Sequence, residues 1–232
     1  MSSARPSAPS PRPPRLYLIT DRHATGGRPL ADVVTAALRG IGGSRLAPAD
    51  VAVQLREKDL SGRDLTELAR GLRALTAAAG VGLYVNDRMD VALAVGADGV
   101  HLSGASLDPV AAAGVAGDLA IAVSVHGAAE VAALRATVGA RIAFALLGPV
   151  YDTPSKRAYG APLGVGVVNE AVQAGIPIVA VGGIGPEHVR ALRAAGAHGV
   201  ACIRSVMAAA DPSAPVGTFC QELSEFRKMD IV

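Results

Sequence analysis

The sequence predicts a single-domain α/β fold, a (β/α)8 barrel of the TIM type, and three observations predict it. Short β-branched runs alternate with longer segments rich in Ala, Leu and Arg, the rhythm of a parallel sheet with helices outside it. The phrases Val95-Gly96-Ala97-Asp98-Gly99-Val100 and Ala195-Gly196-Ala197-His198-Gly199-Val200 are near copies, and Val138-Gly139-Ala140 is a shorter echo. Several of the expected strands end in a cluster of polar, charged or glycine residues. A unit repeated around a ring explains these features better than an open, doubly wound sheet, and a closed barrel gathers its carboxyl strand ends at one rim.

The first strand, 16–20, is an apolar run closing on Thr20. The second, 51–56, runs from Val51-Ala52-Val53 into Gln54-Leu55-Arg56-Glu57-Lys58. Leu65, Leu68, Leu72 and Leu75 then recur three and four apart, so a helix covers that strand from outside. The third strand, 82–86, ends in Asn86-Asp87, and the fourth, 99–102, carries His101. The fifth, 120–124, leads into Ser124-Val125-His126, and the sixth, 141–147, leads into the long loop 147–160. The seventh, 177–181, passes through Gly182-Gly183 into a helix opened by Pro186, and the eighth, 199–203, precedes Arg204-Ser205. In the repeated phrases, glycine supplies the left-handed residue that stops a helix before the next buried strand.

With 232 residues, 50% hydrophobic and 18% charged, the chain can bury one full-sized core. The expected division is a disordered tail over 1–14 and one barrel domain over 15–232. A net charge of +2, with Lys and Arg dispersed along helices, gives no nucleic-acid surface, so anions must be bound locally. Cys202 and Cys220 have no paired spacing, which fits a reducing cytoplasm and neither a disulfide framework nor a zinc site. Residues 1–14 lack an apolar leader core, and no apolar run approaches the ~18 residues of a membrane span, so a soluble protein is expected.

Strand alternation puts Gln54, Arg56 and Lys58 on one face, where Arg as a planar fork and Lys as a point charge suit a phosphate or diphosphate. The competing reading is a solvated ion pair of Glu57. Asp87 is either a helix N-cap or, beside the basic cluster, an oxygen ligand for Mg2+. Thr153, Ser155 and Lys156 supply hydroxyl and ammonium donors in the long loop. Gly182 and Gly183 allow backbone N–H groups to approach a phosphate or simply make a tight turn, and Arg204 with Ser205 completes that cradle. His101 reads as a buried, hydrogen-bonded core residue. His126, expected on the same face as Ser124 and more exposed, is the better acid/base candidate.

Taken in order, Leu16-Tyr17-Leu18-Ile19-Thr20-Asp21, Gln54 to Lys58, Asn86-Asp87, Gly99-Val100-His101-Leu102, Ser124-Val125-His126, Gly148-Pro149-Val150-Tyr151 with Thr153 to Lys156, and Gly182-Gly183-Ile184 resemble the thiamine phosphate synthase and TenI family across roughly 16–210. The resemblance independently implies the barrel. It implies a transferase that joins hydroxymethylpyrimidine diphosphate to thiazole phosphate and releases diphosphate with Mg2+. Arg56, Lys58, Asn86 and Lys156 would then hold the diphosphate, Asp87 the metal, and Gln54 the pyrimidine. Thr153, Ser155, Gly182 and Gly183 would bind the thiazole phosphate, and Lys58, Ser124, His126 and Lys156 are the candidate catalytic side chains. Partners are these phosphorylated small molecules, without nucleic acid or membrane; homo-oligomerisation stays open.

Two positions depart from the family pattern. Ser106 stands where a second metal carboxylate is expected, with Asp108 or water as the substitute, and Arg204 stands where many relatives carry serine. The first departure also resembles the TenI branch, a metal-independent thiazole tautomerase in which His126 would carry the proton. A third reading is a non-catalytic barrel that binds thiazole or thiamine phosphates.

Overall fold

The computed structural model describes residues 12–153 and 160–225. Its strands are β1 (Leu16–Ile19), β2 (Val51–Leu55), β3 (Gly82–Asn86), β4 (Gly99–Leu102), β5 (Ala120–Val125), β6 (Ile142–Leu147), β7 (Ile178–Ala180) and β8 (Gly199–Cys202). They form a closed barrel in sequence order, and every neighbouring pair is parallel, including β1 with β8. All eight expected strands are present, each within two residues of its expected bounds.

Helices cover the outside: α1 (Leu30–Arg39), α2 (Gly62–Ala78), α3 (Met89–Val95), α4 (Pro109–Val115), α5 (Ala128–Val138), α6 (Gly164–Val172), α7 (Val189–Ala194), α8 (Arg204–Met207) and α9 (Ser213–Glu225). The leucine spacing read from the sequence makes α2, whose Leu65, Ala69 and Leu72 are buried. Ser61 starts it, its hydroxyl accepting the Asp64 N–H at 3.2 Å. Gly96, at φ +63°, stops α3 in the left-handed conformation that the repeated phrase required. Val216, Phe219, Cys220 and Leu223 bury the inner face of α9. Among the described residues no helix is long and apolar enough to cross a membrane.

The core has two layers. Leu16, Leu18, Val53, Leu55, Leu83 and Val85 point outward into the layer shared with the helices. Their neighbours Tyr17, Ile19, Ala52 and Tyr84 point inward and join Ala122, Phe144 and Val179 in the barrel interior. Tyr17, Tyr84 and Phe144 pack edge to face there, with ring centroids 5.2 to 5.6 Å apart. Tyr84 leaves no room at Gly99, where an added Cβ would lie 2.3 Å from the tyrosine ring and 2.7 Å from the Ala120 carbonyl. Gly99→Ala is therefore expected to destabilise the fold by roughly 1–3 kcal/mol, the usual range for overpacking, measured by urea unfolding. An unchanged midpoint would mean that the inner ring cluster is not packed this way.

The barrel closes near the N-terminus of the described chain. The Val200 N–H donates to the Arg15 carbonyl at 2.9 Å, and His198 Nε2 lies 2.9 Å from the Pro13 carbonyl. The anchored chain thus reaches back to Pro13.

Candidate active site

At the carboxyl ends of β1 and β2, Gln54 and Glu57 are buried, Arg56 is half-buried and Lys58 is exposed. Alternation holds to Leu55, where β2 ends. Beyond it the chain turns, and Glu57 is only 5% exposed, which overturns the reading of this carboxylate as a solvated loop charge. Glu57 accepts from the Thr20 hydroxyl at 2.7 Å, from the Arg22 backbone N–H at 3.1 and 3.2 Å, and from the Arg22 guanidinium at 3.2 Å. Thr20 in turn accepts the Arg56 N–H at 2.9 Å. Arg22 also grips Asp59 with both terminal nitrogens. This network fixes the backbone from which Arg56 and Lys58 project. Glu57→Ala leaves the Thr20 hydroxyl and Arg22 amide without their acceptor, at an expected cost of about 2 kcal/mol in thermal unfolding. A variant as stable as the parent would show that the network does not tie β1 to β2.

Asn86 and Asp87 follow β3. Asp87 takes φ +60°, a left-handed conformation that aspartate tolerates better than most residues. Its N–H donates to the His101 carbonyl at 2.8 Å, which ties the end of β3 to β4. It is not a helix cap: the residue preceding α3 is Arg88, and no side chain caps that helix. Asp87 Oδ2 accepts from Asn86 Nδ2 at 2.7 Å. Asp87 Oδ1 accepts from the Ser103 hydroxyl at 2.9 Å, from the Ser103 N–H at 3.3 Å and from the Ser106 hydroxyl. Partial burial opposes ionisation of Asp87, yet the Ser106 and Ser103 hydroxyls, the Ser103 amide and the Lys58 charge outweigh it and hold the carboxyl below its ordinary pKa.

Ser106 therefore lies directly against Asp87, at the place expected for a second carboxylate. Asp108 does not take over that role. It caps α4, accepting from the Val110 and Ala111 N–H groups at 2.9 and 3.2 Å. Among the described residues, no three His, Cys, Asp or Glu side chains converge as a metal cluster. The oxygens at hand are one ionised carboxylate and two serine hydroxyls, hard donors of the kind that hold Mg2+ when substrate phosphates complete the shell.

Deeper in the barrel, His101 is 1% exposed. Its Nε2 lies 2.8 Å from Ser124 Oγ and its Nδ1 lies 3.5 Å from the Tyr17 hydroxyl. Burial is the main cause that drives its pKa down to about 3; Asp87 opposes this, and Arg56 and Lys58 reinforce it. The ring is neutral at physiological pH, and it feels three of the charges expected at the mouth. His101 is thus the buried, hydrogen-bonded residue expected, but its partner is the candidate catalytic serine. His126 lies past the end of β5 and is exposed. Its backbone N–H donates to Glu130 at 3.0 Å, and its Nδ1 stands 3.6 Å from the same carboxylate.

On the far side of the rim, Gly182 and Gly183 take φ values of +102° and +64°. A Cβ on Gly182 would lie 2.6 Å from Pro149 Cα, and one on Gly183 would lie 2.4 Å from the Asp152 carbonyl. The Val150 and Tyr151 N–H groups donate to the Val181 and Gly182 carbonyls at 2.8 and 3.0 Å, so the loops after β6 and β7 run in contact. Ser205 Oγ donates to the Ile184 carbonyl at 3.3 Å, joining the start of α8 to them. Arg204 opens α8 and is exposed, and Thr153 is half-buried. Ser155 and Lys156 lie outside the described residues.

The parallel register gathers these groups. Gln54 is beside Ile19 and Tyr84, Asn86 is beside His101, and Ser124 is beside Leu146, all toward the carboxyl ends of their strands. Sequence reasoning assigned no role to Thr20, Tyr17 or Ser103. Thr20 and Ser103 each follow an apolar strand by one position, a place where a hydroxyl faces the rim, and that was the available signal. Both amide atoms of Gln54 are buried without a hydrogen-bond partner of standard geometry.

A family model described as thiamine monophosphate synthase matches residues 16–206. A putative thiamine-phosphate synthase of Geobacter sulfurreducens is 47% identical over 199 residues, covering 85% of this chain and 88% of that protein. The thiamine-phosphate synthase of Roseiflexus castenholzii is 39% identical over 206 residues, covering 88% and 86%. Among solved structures, a thiamine phosphate pyrophosphorylase from Pyrococcus furiosus superposes with a TM-score of 0.79 at 30% identity, over 91% of this chain and 96% of that one. A 3-hexulose-6-phosphate synthase at 18% identity and TM-score 0.61 shares the barrel alone. The chain belongs to the thiamine monophosphate synthase family.

Proposed function

We propose that this chain is a transferase of thiamine biosynthesis that joins hydroxymethylpyrimidine diphosphate to thiazole phosphate. The observation that carries this reading is Asp87, an ionised carboxylate fixed at the rim within the field of Lys58. In the reaction the bond from the pyrimidine methylene carbon to the diphosphate oxygen breaks, and its electron pair leaves on the diphosphate. The thiazole nitrogen lone pair forms the new carbon–nitrogen bond, and no proton is transferred.

The work of the protein is therefore to bind, orient and stabilise charge. Gln54 brings an unpartnered amide to the pyrimidine, and Arg56 and Lys58, on backbone held by Thr20 and Glu57, receive the diphosphate. Asn86 orients Asp87. Gly182, Gly183, Thr153 and Ser205 line the opposite side for the thiazole phosphate, with Ser155 assigned there and Lys156 assigned to the diphosphate from the sequence. Asp87, with the Ser103 and Ser106 oxygens beside it, would hold Mg2+, which when bound offsets charge on the departing diphosphate. A cytoplasmic location and a single catalytic domain from about residue 15 belong to the same proposal.

The test is direct. Purified protein given both substrates and Mg2+ should yield thiamine phosphate, read as fluorescent thiochrome after oxidation, and chelation of the metal should stop it. No product at high enzyme concentration sinks the reading. One observation favours a second reading: with Ser106 against Asp87, the site offers a single carboxylate, and a metal-independent thiazole tautomerase working through His126 needs none. In that case His126→Ala abolishes aromatisation of the thiazole carboxylate phosphate, and chelation leaves the rate unchanged.

A further inference from the structure

The candidate site is divided between two arcs of the rim, and a side chain with no part in either joins them. This is Arg28, in the loop between β1 and α1. Its guanidinium donates through Nε to the Thr25 carbonyl at 2.8 Å, through Nη1 to the Ala210 carbonyl at 3.1 Å and through Nη2 to the Met207 carbonyl at 3.1 Å. The first acceptor lies in its own loop; the other two lie at the end of α8 and just beyond it. A rigid planar fork holds several acceptors in fixed relation, which a flexible ammonium does not.

Each end of this bridge is braced. Gly26 and Gly27, at φ +67° and +84°, turn the loop between Thr25 and Arg28. The buried Thr25 hydroxyl is shared between the Arg22 carbonyl at 2.9 Å and the Arg28 carbonyl at 2.8 Å. Arg22 is bound to Glu57, whose bond to Thr20 fixes the backbone that carries Arg56 and Lys58. At the other end, α8 is a helix of four residues, about one turn, so its end does not shift without its start. Ser205, near that start, is bonded to the Ile184 carbonyl beside the Gly182-Gly183 turn. Hydrogen bonds and short lengths of backbone thus run from the arc after β2, past the end of β1, to the turns after β8 and β7.

We propose that Arg28 is a positioning residue that sets the span between the two arcs, and with it the alignment of the thiazole nitrogen on the pyrimidine methylene carbon. The bridge is read from its hydrogen bonds alone. The role of the span rests on the transferase reading. A residue that acts through the relative placement of two sites slows the joining step more than it weakens the binding of either substrate.

Arg28→Met keeps the apolar stem and removes the donors. In the thiochrome assay kcat is expected to fall roughly tenfold to a hundredfold, the scale of a misplacement of about 1 Å. The KM for each substrate should change by less than about twofold, because substrate binding is left in place. Arg28→Lys keeps the charge without the fork, so its kcat should fall as well, and it carries the test if the methionine variant does not fold. Rates are compared well below the melting midpoints of all three proteins, where a purely structural loss leaves kcat untouched. Parental kcat in a folded variant, or a loss confined to KM, overturns the proposal. Hydrogen–deuterium exchange on the full chain reads the bridge without turnover: backbone amides over 22–28 and 204–210 should exchange faster in Arg28→Met, while those over 51–55 keep the parental rate. Unchanged exchange in both segments overturns the bridge. A parent protein inactive in the thiochrome assay sinks the transferase reading and the role of the span with it, and the exchange result still decides the bridge.

Discussion

Asp87→Asn should lower the rate of thiamine phosphate formation by roughly a hundredfold to a thousandfold at saturating substrates, the scale of losing a charge-stabilising group at a reaction centre. Asparagine is the informative replacement because it keeps the shape of the side chain and tolerates the +60° φ at this position, where alanine would add backbone strain. It removes only the charge, which Ser103, Ser106 and Lys58 now stabilise. The companion variant is Ser106→Asp, which places a second carboxylate against the first. In the presence of inorganic pyrophosphate it should tighten Mg2+ binding about tenfold, measured by competition against Mn2+ in electron paramagnetic resonance. An Asp87→Asn enzyme with parental activity would remove this carboxylate from the chemistry, and an unchanged metal titration in Ser106→Asp would remove Ser106 from the metal site.

The barrel was legible because its signals are local. Apolar runs such as Val51-Ala52-Val53 and the Gly96 and Gly196 helix stops report on their own segments, and closure follows from their regular recurrence. The site was less legible because its contacts are not local. Glu57 admitted the competing reading of a solvated ion pair, since the groups that bury it, Thr20 and Arg22, come from the segment after β1, 37 and 35 residues away. Asp87 has the sequence position of a helix cap as well as of a metal ligand, while its partners Ser103 and Ser106 arrive from the loop after β4. His101 read correctly as buried, but its bond to Ser124, 23 residues on, exists only because β4 and β5 lie in register. Residue type and strand position located the rim, and parallel pairing decided which groups on it touch.

Gly182→Ala tests whether that rim glycine serves packing or ligand approach. The added methyl would lie 2.6 Å from both Cα and Cβ of Pro149, and the backbone it must occupy has φ +102°. Overpacking against backbone and a strained left-handed conformation together should cost roughly 3–5 kcal/mol. For a chain of this size that lowers Tm by about 6–15 °C in a thermal melt. The strain falls where Val150 and Tyr151 donate to Val181 and Gly182, so the loops after β6 and β7 must separate before the methyl fits. A glycine retained only to let a phosphate approach would behave differently, with weaker thiazole phosphate binding and a parental melt. If the melt does not move, the contact between these loops is not what shapes this side of the site, and Gly182 is there for the ligand.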